Sequence, residues 1–430
     1  MTPALAALAS LPSAHDAGRH PGLTSVCSAH PVVIRAALAE SAETASVACI
    51  EATCNQVNQD GGYTGMTPAD FRAFVLRIAA AQGFRADRIL FGGDHLGPNP
   101  WRKGPAATAM AKAITMTHAY AAAGFGKIHL DASMSCADDP LPLDADTMAA
   151  RAALLAQAAE AGARLGGHPA PLYIIGTEVP VPGGAAEHLD NLIVTAPADA
   201  AETLALHRRA FAALGLDKAF ARVVALVVQP GVEFGQDNVI AFAPQGAAAL
   251  VRARKSWGGV VFEAHSTDYQ TAQALAALVQ GGFAILKVGP GLTFALREAL
   301  YGLDLIAAEI VTGYAPQTLP RVMEGVMQAH PGDWAAYCHG SATGQRLQRH
   351  FGYSDRIRYY WTRPPAQTAV AALFAALEGQ RIPETLISQY LPRLTTAQPK
   401  AAALALAAVR LALAPYSAAC GTTADQLRSD

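Results

Sequence analysis

An aspartate followed directly by a histidine carries the clearest chemical signal in the chain. Residues 88–91 are typical of a short buried strand, and they lead through two glycines to Asp94 and His95. Because side chains alternate along a strand, neighbouring residues share one face only where the strand has ended. Glycines suit such an end, where the backbone turns or a ligand comes close. The pair therefore predicts a proton carrier, Asp94, beside a metal ligand, His95.

Polar residues at the end of a short apolar strand recur about eight times along the chain. The predicted strands cover residues 23–27, 46–50, 88–91, 127–130, 172–175, 223–228, 260–262 and 284–288. Apolar strands that alternate with Ala- and Leu-rich helical segments indicate a parallel sheet covered on its outer side. Eight units favour an α/β fold of the closed (β/α)8 TIM barrel type. A doubly wound open sheet is the alternative, but no Gly-x-Gly-x-x-Gly turn follows the first strand.

The part of the chain beyond the eighth strand predicts a second structural unit. We expect residues 1–300 to form the barrel and residues 301–430 to form a mainly helical extension packed on it, because apolar residues recur throughout. In this extension Arg356 and Arg358 stand beside three aromatic residues. The combination is compatible with a grip on a phosphate group, and equally with an arginine-stacked helix surface or a subunit contact.

Composition limits the classes of function. The chain has 430 residues, 52% of them hydrophobic, and a formal net charge of −2 without a Lys/Arg run, so nothing indicates nucleic acid or an anionic membrane as a partner. Six cysteines without Cys-x-x-Cys spacing suit reduced thiols in the cytoplasm. The N-terminus lacks the cationic region of a signal peptide. The apolar segment 401–414 contains Arg410 and is expected to be too short to cross a bilayer.

Two histidines and a carboxylate predict a metal site at one end of the barrel. His95, Glu178 and His265 follow the third, fifth and seventh strands, and the carboxyl ends of all strands converge at one mouth. Zinc readily takes imidazole and carboxylate ligands. The alternative is that each histidine forms only local hydrogen bonds. Glu233, on the sixth loop, is a competing metal ligand or catalytic base.

Other polar residues near the same mouth are predicted to support catalysis or to contact a ligand. Asp94 would stay ionised beside a cation, or would only accept hydrogen bonds from loop amides. Asp131 and Glu263 are candidates to orient the ligand imidazoles. Amides near Gly289 are candidates for a phosphate site, or belong to a simple turn. The candidate substrate contacts are Glu51, Asn55, Gln56, Asp131, Ser133, Gln229, Ser266, Lys287, Gly289, Arg356 and Arg358.

Seven motifs make the chain similar to a known family. They are residues 27–31 (CSAHP), 51–59 (EATCNQVNQ), 92–99 (GGDHLGPN), 131–136 (DASMSC), 176–180 (GTEVP), 263–269 (EAHSTDY) and 354–360 (SDRIRYY). Together they resemble the non-catalytic subunit of class II D-tagatose-1,6-bisphosphate aldolase, the GatZ/KbaZ type, over nearly the whole chain. Some members of that family are known as D-tagatose 6-phosphate 4-epimerases.

A more distant likeness to the catalytic class II aldolases implies residue roles and shows one departure. It implies that Asp94 is the catalytic acid and that His95 and His265 bind metal. Those aldolases carry a further metal histidine after the sixth strand, where this chain has Gln229 and Glu233. Glu178 or one of these two residues would have to bind the metal in place of the missing histidine. We therefore expect a divalent ion, Zn²⁺ first, with Mn²⁺ or another ion favoured by a harder ligand set.

Two functions follow from this resemblance. The first is a metal-dependent 4-epimerase of ketohexose phosphates, which breaks and remakes the C3–C4 bond with Asp94 carrying the proton of the C4 hydroxyl. The second is a stabilising subunit without catalysis. The polar mouth favours the enzyme, and the missing sixth-strand histidine favours the subunit. The expected partners are a ketohexose phosphate and either a second copy of the chain or an aldolase catalytic subunit.

Overall fold

Eight parallel strands close into a barrel in the computed structural model, which describes residues 1–177, 192–394 and 400–421. The barrel strands are β1 (Leu23–Cys27), β2 (Ala48–Thr53), β3 (Ile89–Leu96), β4 (Lys127–Leu130), β5 (Leu172–Ile175), β6 (Val223–Val227), β9 (Val261–Ala264) and β10 (Ile285–Val288). Neighbours around the barrel follow chain order, and β10 closes it against β1. The predicted TIM barrel is confirmed. A short antiparallel hairpin, β7 (Glu233–Phe234) and β8 (Val239–Ile240), follows β6 and was not predicted.

Helices cover the outside of the barrel and build the extension. They are α1 (Pro3–Asp16), α2 (Pro31–Glu43), α3 (Pro68–Ala81), α4 (Ala106–Ala122), α5 (Ala145–Leu165), α6 (Pro197–Ala213), α7 (Asp217–Phe220), α8 (Pro244–Trp257), α9 (Ala272–Gln280), α10 (Pro290–Ile310), α11 (Thr318–Ala329), α12 (Ala342–Phe351), α13 (Pro364–Ala376), α14 (Glu384–Tyr390) and α15 (Ala401–Cys420). Some of these helices begin at a residue whose side chain accepts a hydrogen bond from a free backbone amide. Thr67 and Asp70 form a capping box on α3, and Asp144 caps α5.

The first helix closes the amino end of the barrel. Apolar residues of α1, among them Leu5 and Leu8, pack on the inward-facing side chains of Leu90, Leu172 and Ile174. Leu8 is fully buried. Burial of apolar surface stabilises by about 25 cal/mol per Å². The amino half of the barrel interior is therefore a sealed hydrophobic core.

The extension begins within a helix and ends on the barrel. α10 continues from Pro290 to Ile310, across residue 300, and α11 packs on α13 beyond it. A 3-10 helix, Arg356–Tyr360, contacts α10, α11 and α12. The final helix, α15, packs against α2, α9 and α10.

Helix α15 is longer than the sequence predicted. It has 20 residues and reaches Cys420, so it is long and apolar enough to cross a bilayer, and no other described helix is. The expectation that this segment is too short was therefore wrong. Its apolar side chains Leu404, Val409 and Leu413 are nevertheless buried, and Tyr416 donates a hydrogen bond to the Thr267 carbonyl at 2.6 Å. These contacts are those of a helix that covers the barrel.

Candidate metal and substrate site

A local irregularity in β3 brings Asp94 and His95 to the same side. The strand continues to Leu96, so it does not end at Asp94 as predicted. Instead, His95 has a φ of 49°, and the pairing of β3 with β4 shifts register between Gly93 and Leu96. A bulge of this kind re-aims a side chain, and non-glycine residues at positive φ concentrate at functional sites. Both side chains consequently face the barrel interior, where each is almost completely buried.

Three imidazoles surround one point at the carboxyl end of the barrel. The ring centroids of His95, His129 and His265 lie 4.8 to 5.1 Å from one another. Candidate ligand atoms of these residues and Asp94 are all within 4.8 Å of one another. His129 was not predicted, because it lies within the apolar strand β4. The alternation Lys127, His129, Asp131 was a visible signal, since residues two apart on a strand share a face.

Carboxylates hold two of the three rings. Asp131 Oδ2 lies 2.8 Å from His95 Nδ1, and Glu263 Oε1 lies 3.0 Å from His265 Nε2. These contacts leave the opposite nitrogen of each ring available, as is usual for metal-binding histidines. Both carboxylates occupy the positions expected from the sequence.

The third ring has a buried nitrogen without a partner. His129 Nδ1 lies 3.0 Å from Asp94 Oδ1 and 3.2 Å from the backbone nitrogen of His95, so a neutral ring can donate to the first or accept from the second. Its Nε2 has no hydrogen-bond partner among the described residues. An unpaired buried nitrogen is costly. The donor set of three imidazoles and one carboxylate therefore fits a divalent cation, for which zinc is well suited.

The charge state of these groups follows from their surroundings. Burial and the nearby Lys287 ammonium lower the pKa of His265 to about 3, so the ring is neutral. Burial opposes ionisation of Asp94, but His95 and Lys287 outweigh it and hold its pKa well below the usual value. Asp94 is therefore a carboxylate across the neutral pH range.

A layer of buried ion pairs lies directly beneath the histidines. Lys127 Nζ is 2.6 Å from Glu51 Oε1 and 2.7 Å from Glu263 Oε2, although these contacts lack good hydrogen-bond angles. Lys287 Nζ is 2.8 Å from Glu51 Oε2 and also contacts Asp94. A Cβ on Gly92 would lie 2.5 Å from Glu51, so glycine is needed beside this layer. Because Glu51 is already paired with both Lys127 and Lys287, the group of Cys27, Glu51 and Asp94 is a weaker candidate for a metal than the three histidines.

A cavity, called the central cavity below, opens above His95 and His265, and it measures about 630 Å³ including its open mouth. Its lining includes these predicted site residues: Asn55, Gln56, Asp94, His95, His265, Ser266, Lys287, Gly289 and Arg358. Tyr63 from the loop after β2 and Tyr359 from the extension, both unpredicted, also line it, and their rings meet at a centroid distance of 4.8 Å. The extension therefore contributes side chains to the site.

Comparison with known proteins identifies the family. Residues 8–421 match the family described as D-tagatose-1,6-bisphosphate aldolase subunit GatZ/KbaZ-like. The chain belongs to the GatZ/KbaZ-like family. The resemblance seen in the sequence motifs is thereby confirmed.

Two curated relatives and one solved structure of this family are closely similar. A protein of Agrobacterium fabrum named D-tagatose 6-phosphate 4-epimerase is 57% identical over 419 residues, which are 97% of this chain and 99% of that protein. D-tagatose-1,6-bisphosphate aldolase subunit GatZ of Klebsiella pneumoniae is 54% identical over 381 residues, 88% of this chain and 89% of that protein. A crystal structure of a probable tagatose 6 phosphate kinase from Sinorhizobium meliloti matches with a TM-score of 0.85 and 56% identity, covering 93% of this chain and 100% of that one.

Several predicted substrate contacts of this GatZ/KbaZ-like chain lie away from the central cavity. Glu51 is fully buried in the ion-pair layer, so it is not available to a sugar hydroxyl as predicted. Asp131 and Ser133 bond to each other, the Ser133 hydroxyl donating at 2.6 Å, and act on the site through His95.

Gln229 and Arg356 also have other partners. Gln229 Oε1 accepts the amides of Gly231 and Val232, so it is neither a substrate contact nor a substitute ligand in this arrangement. Arg356 donates to the Asp333 carbonyl at 2.7 Å and stacks between Tyr337 and Tyr359. This matches the arginine-stacked alternative and corrects its assignment as a phosphate contact.

Three further predicted positions have distinct outcomes. Glu178, predicted as a metal ligand and catalytic group, lies outside the described residues. Glu233 is buried beside the cavity-lining Phe234, whose amide it accepts at 3.0 Å, and burial raises its pKa to about 7. The amides of Gly289 and Gly291 donate to Asp268 Oδ1 at 3.0 and 2.7 Å, so this carboxylate already satisfies the donors that were considered for a phosphate.

Proposed function

We propose that the protein is a metal-dependent 4-epimerase that interconverts D-tagatose 6-phosphate and D-fructose 6-phosphate in the cytoplasm. The observation that carries this proposal is the group of three imidazoles around Asp94, of which His95 and His265 line the central cavity. The Agrobacterium relative with that name supports the choice of substrate. All six cysteines are free, which is compatible with a reducing compartment.

The chemistry proposed is cleavage and re-formation of the C3–C4 bond. Asp94 accepts the proton of the C4 hydroxyl, and the oxygen lone pair forms the aldehyde carbonyl. The electron pair of the C3–C4 bond moves onto the ketose fragment, giving an enediolate. Rotation of the aldehyde before the bond re-forms inverts C4, and Asp94 returns the proton. Lys287, in contact with Asp94, keeps this carboxylate ionised between turnovers.

His95, His129 and His265 are the proposed metal-holding residues, with Asp94 at the edge of the group and Glu178 still a predicted ligand. When bound, a divalent ion supplies Lewis-acid stabilisation for the negative charge that develops on the substrate oxygens. Three imidazoles favour Zn²⁺, and a contribution from Glu178 would widen the choice to Mn²⁺. His129 thus takes the place of the ligand that the sixth strand lacks.

A second candidate function rests on the Klebsiella relative, which is named as an aldolase subunit. On this alternative the chain would stabilise a separate catalytic aldolase subunit and would catalyse nothing by itself. A homo-oligomer is the partner expected on the epimerase proposal. The two candidates differ in what the purified chain does alone.

The deciding experiment uses the purified chain alone with D-tagatose 6-phosphate, with and without EDTA. We expect fructose 6-phosphate to form, to disappear with EDTA, and to return when Zn²⁺ or Mn²⁺ is added back. Absence of conversion even with added metal would overturn the epimerase proposal in favour of the subunit. Conversion that is unaffected by EDTA, in protein shown to be metal-free, would overturn the metal requirement.

His129→Ala tests the ligand set separately. We expect the bound metal, measured by mass spectrometry after gel filtration, to fall with this variant, because one imidazole of three is lost. His118→Ala, on the outer helix α4, is the matched control and should keep its metal. Equal metal content in both variants would exclude His129 as a ligand.

A further inference from the structure

A second cavity adjoins the central one and has a different chemical character. This side cavity, about 990 Å³ including its open mouth, shares Cys27, Gln56, Tyr63, Gly289 and Arg358 with the central cavity. It then extends toward the start of α2 and toward α13. A ligand seated over the histidines can therefore reach into it past Arg358.

The two cavities differ in the charged residues that line them. Asp94, Asp268, Lys287 and Arg358 line the central cavity. No Asp or Glu occurs among the described residues that line the side cavity, while Arg358 is there. The side cavity also lies at the start of the 13-residue helix α2, where the helix dipole is positive. The side cavity consequently offers an anionic group a cationic side chain and a helix N-terminus with no carboxylate in the described lining.

His30, which caps α2, supplies a hydrogen-bond donor of known tautomer. Its Nδ1 accepts the Val32 amide at 3.2 Å, and burial lowers its pKa to about 4. A neutral ring that accepts at Nδ1 must carry its proton at Nε2. The Ser28 hydroxyl, which accepts the His30 amide at 3.2 Å, likewise retains its own proton for donation. Both residues line the side cavity.

Two further donors, the Trp361 indole and the Arg358 guanidinium, line the side cavity. Trp361 lines the side cavity, is 5% exposed, and its indole Nε1 has no hydrogen-bond partner among the described residues. Arg358 uses three of its five N–H groups, on the carbonyls of Ser354 and Asp355 and on the Tyr359 hydroxyl. A buried donor without an acceptor is unfavourable, and an oxyanion would satisfy it.

We propose that the side cavity is the binding site for the phosphate group of the substrate, with Arg358, Trp361, His30 and Ser28 as its donors. This inference rests on the proposed function and adds where the phosphate lies. A phosphate monoester carries three acceptor oxygens and close to two negative charges at neutral pH, which matches a donor-rich pocket without carboxylates. The sugar chain then crosses the shared wall, and its reacting carbons lie over the histidines.

The test compares Trp361→Phe and Arg358→Gln with the wild-type holoenzyme. We expect Trp361→Phe to raise KM for D-tagatose 6-phosphate and the Kd for inorganic phosphate by about three- to tenfold, with kcat within about twofold. Its thermal stability should be unchanged or higher, because an unpaired buried N–H is removed. Arg358→Gln should raise both constants by about 10- to 100-fold. Trp257→Phe and Arg381→Gln are the matched controls on remote helix and turn positions.

Titration calorimetry with inorganic phosphate separates this inference from the proposed function. If the wild type binds phosphate, and Trp361→Phe weakens this binding but His129→Ala does not, the phosphate lies in the side cavity. If only His129→Ala weakens phosphate binding, the phosphate lies at the metal, and this result would overturn the inference. Absence of phosphate binding to an active wild type overturns it as well. An inactive wild type that binds phosphate through Trp361 would overturn the epimerase proposal and leave the site in place.

Discussion

The two halves of the barrel interior are built from opposite kinds of residue. At the amino end, Leu90, Leu172 and Ile174 meet apolar residues of α1 in a sealed core. At the carboxyl end, Lys127 and Lys287 are buried among carboxylates and histidines. Burying an ion pair costs several kcal/mol per ion in lost hydration, and the attraction between partners returns this only with good geometry. The comparison indicates that the amino half provides stability and that the carboxyl half is organised for chemistry.

The ion-pair layer also holds in place the charged groups that lie beneath the central cavity. Lys127 joins Glu51 to Glu263, and Glu263 in turn holds the ring of His265. Lys287 joins Glu51 to Asp94. Each lysine is therefore paired with a carboxylate that contacts or belongs to the histidine cluster, and so helps to hold that cluster in position. Preorganised charges of this kind are what stabilise charge that develops during a reaction.

Asp94→Asn, in the carboxyl half, is expected to have the largest effect on turnover. We expect kcat to fall by about 10²–10⁴-fold, because the amide cannot take the C4-hydroxyl proton. Bound metal should be retained, since the three imidazoles are unchanged. Steady-state kinetics measure kcat and metal analysis measures the bound metal, and Asp60→Asn, at an exposed position, is the control. Turnover of the Asp94→Asn variant at the wild-type rate would rule out the proton role.

Lys127→Met should be the most destabilising single change in the ion-pair layer. It leaves Glu51 and Glu263 short of a partner in a fully buried position, so we expect the free energy of unfolding to fall by about 3–5 kcal/mol. Urea denaturation at pH 7 measures this. Lys112→Met is the control, because its pair with Asp60 is half exposed and worth less than about 1 kcal/mol. Equal losses in the two variants would contradict the structural role of the layer.

Leu8→Ala makes the corresponding change in the amino half. We expect the free energy of unfolding to fall by about 2–4 kcal/mol through the cavity that it creates, while kcat and KM of folded protein stay at wild-type values. Leu165→Ala, at a position that is 75% exposed, should change stability by less than about 0.5 kcal/mol. A large fall in kcat for Leu8→Ala would show that the halves are not separate in function.

Glu233→Gln probes a smaller, pH-dependent effect at the edge of the site. Burial raises the pKa of Glu233 to about 7 from about 4.5 in the unfolded chain, so the folded state favours the protonated carboxyl. The wild type should therefore lose stability as pH rises from 4.5 through 7, by at most about 3 kcal/mol, relative to the variant.

Activity gives a second measure of the same residue. If Glu233 carries a proton, the wild-type profile of kcat/KM should have a limb near pH 7 that Glu233→Gln removes and the exposed Glu378→Gln retains. Superimposable profiles for all three proteins would leave Glu233 as a structural residue only.

The sequence specified the barrel better than the site. Strand Leu172–Ile175 was predicted to the residue, because a continuous apolar run between turns leaves little choice of where the strand begins and ends. His129 was missed because an isolated imidazole in an apolar run is indistinguishable from a core residue until barrel closure shows which face is inward.

Other features depend on contacts between distant parts of the chain. The positive φ of His95 arises where β3 pairs irregularly with β4, and no local pattern marks it. The sealing of the amino end by α1 and the separation of Arg356 from Arg358 are likewise tertiary events. Two arginines two residues apart have different surroundings, since Arg356 donates to the Asp333 carbonyl whereas Arg358 lines the central cavity.

The seal formed by α1 has a consequence for how the chain folds during synthesis. The helix precedes the barrel strands in the chain, and its partners include β6 and β9, of which β9 ends at Ala264. At about 5–20 residues per second, translation needs roughly 12–50 s more before the ribosome has added these strands. The apolar face of α1 lacks its docking surface for all of that time. Helix α1 is thus synthesised well before the strands that hold it in place, and its docking has to wait for them.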